Sequence, residues 1–164
     1  MTITLSRSNR LRAALEGLIL AIAVTSAVAS APDSAIAGDR LLSGQQIVLG
    51  QTLSSSSGRS RLAVNNWMPN IALYRADCAV PRWAQYKKDG ADSDIRAVMQ
   101  GDGNFVLYHQ GWNALWSSGT YGNPGSYIVM QNDGNLVIYN PGGRVLWATG
   151  TQEDFSISRP LGMC

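Results

Sequence analysis

The chain has 164 residues, 45% of them hydrophobic and 15% charged, with a formal net charge of +2, which is the size of one globular domain. Beyond residue 37, ten Lys and Arg face nine Asp and Glu, and this balance argues against a nucleic acid or an anionic membrane recruited by bulk charge. One histidine, His109, and two cysteines, Cys78 and Cys164, are too few for a His/Cys metal cage or for a Cys/His or Ser/His/Asp catalytic set.

Residues 1–37 read as a cleaved export signal. Arg7, Arg10 and Arg12 make a positive leader, Leu18 to Val24 is an uninterrupted apolar core, and two Ala-x-Ala sites follow at 27–29 and 35–37. Pro32 breaks the apolar segment before the second site and favours it. The apolar run is short of the ~20 residues that a membrane span requires, so no membrane insertion is expected once the signal is removed and the mature chain is secreted. In an oxidising compartment Cys78 and Cys164 are the candidate disulfide, with two free thiols or an intermolecular bond as the alternatives.

After the signal, short β-branched and aromatic runs alternate with Gly, Asn, Asp, Pro and Ser clusters, and helical periodicity never lasts three turns. The class is all-β. The expected strands are 41–42, 46–49, 62–66, 71–75, 83–86, 95–100, 104–109, 114–117, 127–131, 135–139, 145–148 and 155–158, with the Ser54 to Gly58 run as a loop and the last strand closing a sheet begun at the N-terminus. Arg59 and Arg61 are expected on a solvated strand face. His109 is expected to be exposed and without a catalytic role.

Self-similarity is the strongest signal in the chain. Val98-Met99-Gln100-Gly101-Asp102-Gly103-Asn104-Phe105-Val106-Leu107-Tyr108 returns 31 residues later as Val129-Met130-Gln131-Asn132-Asp133-Gly134-Asn135-Leu136-Val137-Ile138-Tyr139. Each copy runs into a tryptophan, Trp116 or Trp147. A worn third copy lies upstream from Asn66 through Asn70 to Tyr74, with Trp83 beyond it. Gly103 and Gly134 stand third in three-residue hairpin loops, where a left-handed residue is required. That loop sets Gln100 opposite Asn104 and Gln131 opposite Asn135. Gln100, Asn104, Val106 and Tyr108 then share one face, as do Gln131, Asn135, Val137 and Tyr139, while Met99, Phe105, Leu107, Met130, Leu136 and Ile138 face the core. An amide, a carboxylate, a second amide, an apolar patch and a phenol suit a neutral polyol such as a sugar.

The Gln-x-Asp-x-Asn-x-Val-x-Tyr pattern, intact at 100–108 and 131–139, resembles the signature of the bulb-type (monocot-type) mannose-binding lectins. The similarity covers roughly residues 39–151, including the opening Leu41-Leu42-Ser43-Gly44-Gln45 and the closing Trp147-Ala148-Thr149-Gly150-Thr151. It implies a β-prism of three four-stranded antiparallel sheets around a pseudo-threefold axis, with Trp83, Trp116 and Trp147 packed centrally and one mannose site per sheet. It further implies Gln100 and Gln131 on the sugar O3, Asp102, Asn104, Asp133 and Asn135 on the axial O2, Tyr108 and Tyr139 on O4, and Val106 and Val137 against the ring carbons. The first copy is degenerate: Asn70 and Tyr74 remain, but Asn66 shortens the amide arm, Met68 replaces the carboxylate, Ala72 thins the apolar contact, and Pro69 cannot take a positive φ.

The expected function is therefore an exported, non-enzymatic lectin for mannose-containing glycans, needing no cofactor and no calcium, since one carboxylate per site is too few for an oxygen cage. A glycan hydrolase is the rival enzyme, but each repeat supplies one motif carboxylate where a pair is needed. A lectin-like toxin, bacteriocin or inhibitor that uses the prism to bind protein is the alternative from a third class. Trp112, close after Tyr108, is either a sugar-stacking extension of the middle site or simple packing. Residues 152–164, where Phe155 and Ile157 alternate, are the candidate device for a homodimer.

Overall fold

The computed structural model describes residues 38–67, 70–85 and 94–153. These residues form twelve strands and no helix: β1 (Arg40–Leu41), β2 (Gln46–Val48), β3 (Thr52–Ser54), β4 (Ser60–Val64), β5 (Ile71–Arg75), β6 (Trp83–Gln85), β7 (Ile95–Met99), β8 (Phe105–His109), β9 (Asn113–Ser117), β10 (Tyr127–Met130), β11 (Leu136–Tyr139) and β12 (Val145–Ala148). The signal reading of 1–37, the strand expected at 155–158 and Cys164 lie outside the described residues.

Each repeat supplies a three-stranded antiparallel meander, and the N-terminal segment adds one strand to each in turn. The sheets run β1-β10-β11-β12, β2-β7-β8-β9 and β3-β4-β5-β6. The C-terminal strand expected to close a sheet falls outside the described residues, and among these the fourth strand of every sheet comes from the chain's beginning. The reason lies in spacing: Leu41, Ile47 and Leu53 recur every six residues, each fully buried, so each very short strand offers one inward side chain to a different sheet. β3 has no counterpart among the expected strands. Its single apolar residue, Leu53, precedes the Ser54 to Gly58 run, whose later residues make the turn into β4. Ser55 is buried there and its Oγ accepts from Ser60 N at 3.1 Å.

Inward residues alternate along the strands as period two demands. Leu62, Ile71, Leu73, Met99, Phe105, Leu107, Met130, Leu136 and Ile138 are at most 1% exposed and form one continuous core. A thirty-residue meander cannot bury its own apolar face, so three of them must close on a shared interior. Trp83, Trp116 and Trp147 finish that closure. Their rings make a triangle with centroids 5.4, 5.7 and 5.6 Å apart and interplanar angles of 71°, 75° and 61°, the edge-to-face arrangement aromatic quadrupoles favour. Near-equal sides built from equivalent positions place a pseudo-threefold axis through the triangle, and the molecule is a β-prism. The tryptophans are half-buried and pack against the core rather than lying within it.

Beyond the third repeat the chain is tied back to the first repeat. Glu153, nearly buried, sets its carboxylate against Arg75 Nη1 at 3.6 Å and against Arg82.

Candidate functional site

The hairpins carrying the repeated motif close as the glycine spacing requires. Gln100 N donates to Asn104 O at 2.8 Å and Gly103 N to Gln100 O at 3.1 Å; the third repeat repeats these bonds at 2.9 and 3.1 Å between Gln131, Asn135 and Gly134. Gly103 and Gly134 take φ values of 90° and 83°, a conformation open to glycine at little cost. At Gly103 space forbids a side chain as well, because a Cβ would collide with the backbone carbonyl of Asn123. Gly103→Ala is therefore expected to cost roughly 2 kcal/mol or more from the two effects together, read as a lower midpoint in urea. An unchanged midpoint would show that the turn is not held as described.

Within each turn every polar side chain has one end engaged and one end open. Asp102 Oδ1 accepts from Asn104 N and Asp133 Oδ1 from Asn135 N, both at 2.9 Å, which leaves each Oδ2 as an outward acceptor. Asn104 Oδ1 accepts from Ser118 Oγ at 3.1 Å and Thr120 N at 3.2 Å. Asn135 Oδ1 accepts from Thr149 Oγ1, Gly150 N and Thr151 N at 2.9, 3.0 and 3.3 Å. With the carbonyl saturated, the Nδ2 of each asparagine is oriented as a donor. Gln100 Nε2 donates to the Tyr108 hydroxyl at 2.6 Å and Gln131 Nε2 to that of Tyr139 at 2.7 Å. Each phenol, having accepted, keeps its own proton to give, and each glutamine keeps its Oε1 to accept. Both sites thus present two acceptors and two donors in one order.

The valines sit lower than the sequence suggested. Val106 and Val137 lie on the motif face but are only 3% and 2% exposed. Val106 pairs across strands with Val98 and Val137 with Val129, and the Gln–Tyr bond spans that pair. They make the floor of a shallow site rather than an open patch. A register shift falls at the same place in both copies, Leu107/Tyr108 and Ile138/Tyr139, and such bulges re-aim the side chain beside them, here the tyrosine.

Behind each turn stands a buttress that the sequence reading gave no role. Thr120 Oγ1 donates to Gly103 O at 2.6 Å and Thr151 Oγ1 to Gly134 O at 2.7 Å. Ser118 Oγ and Thr149 Oγ1 accept from Phe105 N and Leu136 N, each at 3.0 Å. The signal was present in the repeated Ser/Thr-Gly-Thr after each tryptophan.

In the first repeat the register differs from the sequence reading. Val64 pairs with Ile71 and Asn65 N donates to Asn70 O at 2.8 Å, so Asn65, not Asn66, stands where Gln100 does. Asn66 belongs to a loop one residue longer, which Pro69 accounts for, because proline cannot occupy the left-handed position of the shorter turn. Asn70 is fully buried and is not presented outward. Tyr74 is half-buried beneath the Arg61 guanidinium, 5.3 Å from its ring centroid.

Among the remaining singled-out residues, Arg59 is exposed, and His109 is half-buried as the last residue of β8. Trp67 is exposed in the first loop and Trp112 beside Tyr108. Cys78 is buried, and no free cysteine occurs among the described residues. Among them, too, no group of three His, Cys, Asp or Glu could hold a metal ion, and no helix is long and apolar enough to cross a membrane.

No protein-family model and no curated protein matches the chain. Solved structures do. A lectin from Marasmius oreades is 34% identical, with a TM-score of 0.61, over 70% of this chain and 92% of that one. A monomeric monocot mannose-binding lectin from Gastrodia elata is 31% identical, with a TM-score of 0.59, over 70% of this chain and 99% of that one. The mannose-specific agglutinin from snowdrop bulbs (Galanthus nivalis), solved with methyl-α-D-mannoside, is 30% identical, with a TM-score of 0.53, over 71% of this chain and 99% of that one. A three-sheet prism with a central tryptophan triangle, nearly the whole length of these relatives and sequence identity at this level agree, and the chain belongs to the bulb-type mannose-binding lectin family.

Proposed function

We propose that this protein is an exported, non-enzymatic lectin that binds mannose-containing glycans through two sites. One is built by Gln100, Asp102, Asn104, Val106 and Tyr108, the other by Gln131, Asp133, Asn135, Val137 and Tyr139. The observation that carries the reading is the duplicated pattern of open hydrogen-bonding ends. In both turns the inner ends are held by equivalent partners, so the acceptors Gln Oε1 and Asp Oδ2 and the donors Asn Nδ2 and Tyr OH are set before a ligand arrives. Neutral hydroxyls, which both give and take protons, match that mixture, and a pre-set site loses less freedom on binding. Asp Oδ2 and Asn Nδ2, an acceptor and a donor two residues apart in one turn, are read as serving one hydroxyl, the axial 2-hydroxyl that distinguishes mannose from glucose.

Calorimetry on the mature protein with methyl α-mannoside is expected to count two sites, with mannose competing and glucose not. Three equal sites would contradict the buried Asn70, and equal competition by glucose would overturn the assignment of the axial hydroxyl. Export with loss of residues 1–37 and a Cys78–Cys164 disulfide belong to the same proposal. Mass spectrometry of the secreted chain, with and without reductant, tests both.

A further inference from the structure

The two complete sites differ where β8 turns into β9 and β11 into β12. Tyr139 is followed by Asn140, Pro141, Gly142 and Gly143 before Arg144, and Asn140 N donates to Arg144 O at 3.0 Å. In the middle repeat His109 pairs with Asn113, so Gln110, Gly111 and Trp112 fill the same three turn positions. Gly143 has φ 80° and Trp112 has φ 69°. A tryptophan therefore occupies the left-handed position that the sister repeat gives to glycine. That conformation is strained for a bulky side chain, and burial does not compensate, because Trp112 is 58% exposed.

The indole is nonetheless held in place. The Arg96 guanidinium lies 4.7 Å from its ring centroid, and the Tyr108 ring meets it edge-on at 5.3 Å and 73°. Arg96 is itself paired with Asp94, so its charge is already met and the surface does not select an anion. In the third repeat Tyr127 replaces Arg96 and stacks on Tyr139, with centroids 5.8 Å apart and planes at 27°. Among the described residues no indole meets the Tyr139 ring.

We infer that Trp112, fixed by Arg96 and Tyr108, is a second sugar subsite that makes the middle site a disaccharide site while the third site remains a monosaccharide site. The inference rests on the proposed sugar-binding reading of residues 100–108. The ligand is a neutral hexose joined to the bound mannose, its C–H face packed against the exposed part of the indole.

The test uses two full-length single-site proteins, Asp133→Ala, which keeps the middle site, and Asp102→Ala, which keeps the third. Each is titrated by NMR with methyl α-mannoside and with α-1,2-, α-1,3- and α-1,6-mannobiose. The ratio of the best mannobiose affinity to methyl α-mannoside affinity is expected to be about three- to tenfold higher in Asp133→Ala, as one aromatic contact allows. Adding Trp112→Gly to Asp133→Ala should bring the ratio down to that of the third site, while Trp112→Phe retains part of the gain. Trp112→Gly should melt no lower than its parent, since glycine takes this φ without strain. Equal ratios in the two single-site proteins, or a ratio indifferent to Trp112→Gly, would overturn the subsite and leave the monosaccharide reading standing. Failure of both proteins to bind methyl α-mannoside would remove the sugar-site reading and the subsite with it.

Discussion

Asp102→Ala combined with Asp133→Ala is expected to abolish binding to mannan while the protein still folds. Both carboxylates lie in exposed turns, and the turn survives their loss on backbone bonds alone: Gly103 N to Gln100 O, Gln100 N to Asn104 O, and their counterparts at Gly134 and Gln131. The asparagine carbonyls also stay anchored to the Ser/Thr-Gly-Thr segment. Only the outward Oδ2 is irreplaceable. A hydrogen bond from a hydroxyl to a charged acceptor contributes about 1.5–3 kcal/mol, roughly 10- to 150-fold in affinity. Removing that from a site already weak for a monosaccharide puts binding out of measurable range. Each single variant should keep one site of two by calorimetry. Asp→Asn at both positions retains an Oδ1 for the turn and separates lost charge from lost turn geometry: it should fold like the wild type and still bind at least tenfold more weakly. A double alanine variant that melts normally and binds normally would disprove the role given to these carboxylates.

The legibility of each element in the sequence depends on where its information sits along the chain. The two intact hairpins can be read to the residue, since Gly103 and Gly134 set the loop length, loop length sets register, and register sets which side chains share a face. The worn copy reads one residue out of register, because nothing local says how many residues a proline-containing loop takes. The Val64–Ile71 pair decides it from outside the loop. β1, β2 and β3 have two or three residues each, too few for any period to show, and the sheet each one joins is a property of the closed prism. The depth of Val106 and Val137 is hidden for a related reason: the face is legible, but the glutamine-to-tyrosine bond that crosses above them joins residues eight apart in sequence. Trp112 shows the opposite case. Its alignment with Gly143 is plain once the 31-residue offset is applied, and only the φ angles show that the tryptophan has taken a glycine's conformation.

Free mannose is expected to bind on the order of millimolar per site, and branched mannan ~10² to 10⁴ times more tightly. The per-site figure follows from four open hydrogen-bonding ends, each contributing roughly 0.5–1.5 kcal/mol net, set against the freedom lost on association. The nearly covered floor of Val106 and Val137 adds little apolar contact to that sum. Sites this weak act when one attachment raises the local concentration for the next, and the middle and third sheets place two complete sites on a single prism. The avidity should therefore survive in a monomer, and in a monomer it should disappear in Asp102→Ala or Asp133→Ala alone, because one site has no second attachment to make. A homodimer through residues 152–164, expected from the alternation of Phe155 and Ile157, would double the sites to four. Each sheet has four strands among the described residues, and Glu153 is engaged by Arg75 and Arg82, so truncation after Glu153 keeps those twelve strands and the ion-pair cluster. Light scattering on the full and truncated chains then reports association, and surface binding to immobilised mannan reports avidity. A monomer mass for both chains assigns the avidity to the two sites of one chain. Equal affinities for branched mannan and free mannose would show that the two sites never act together.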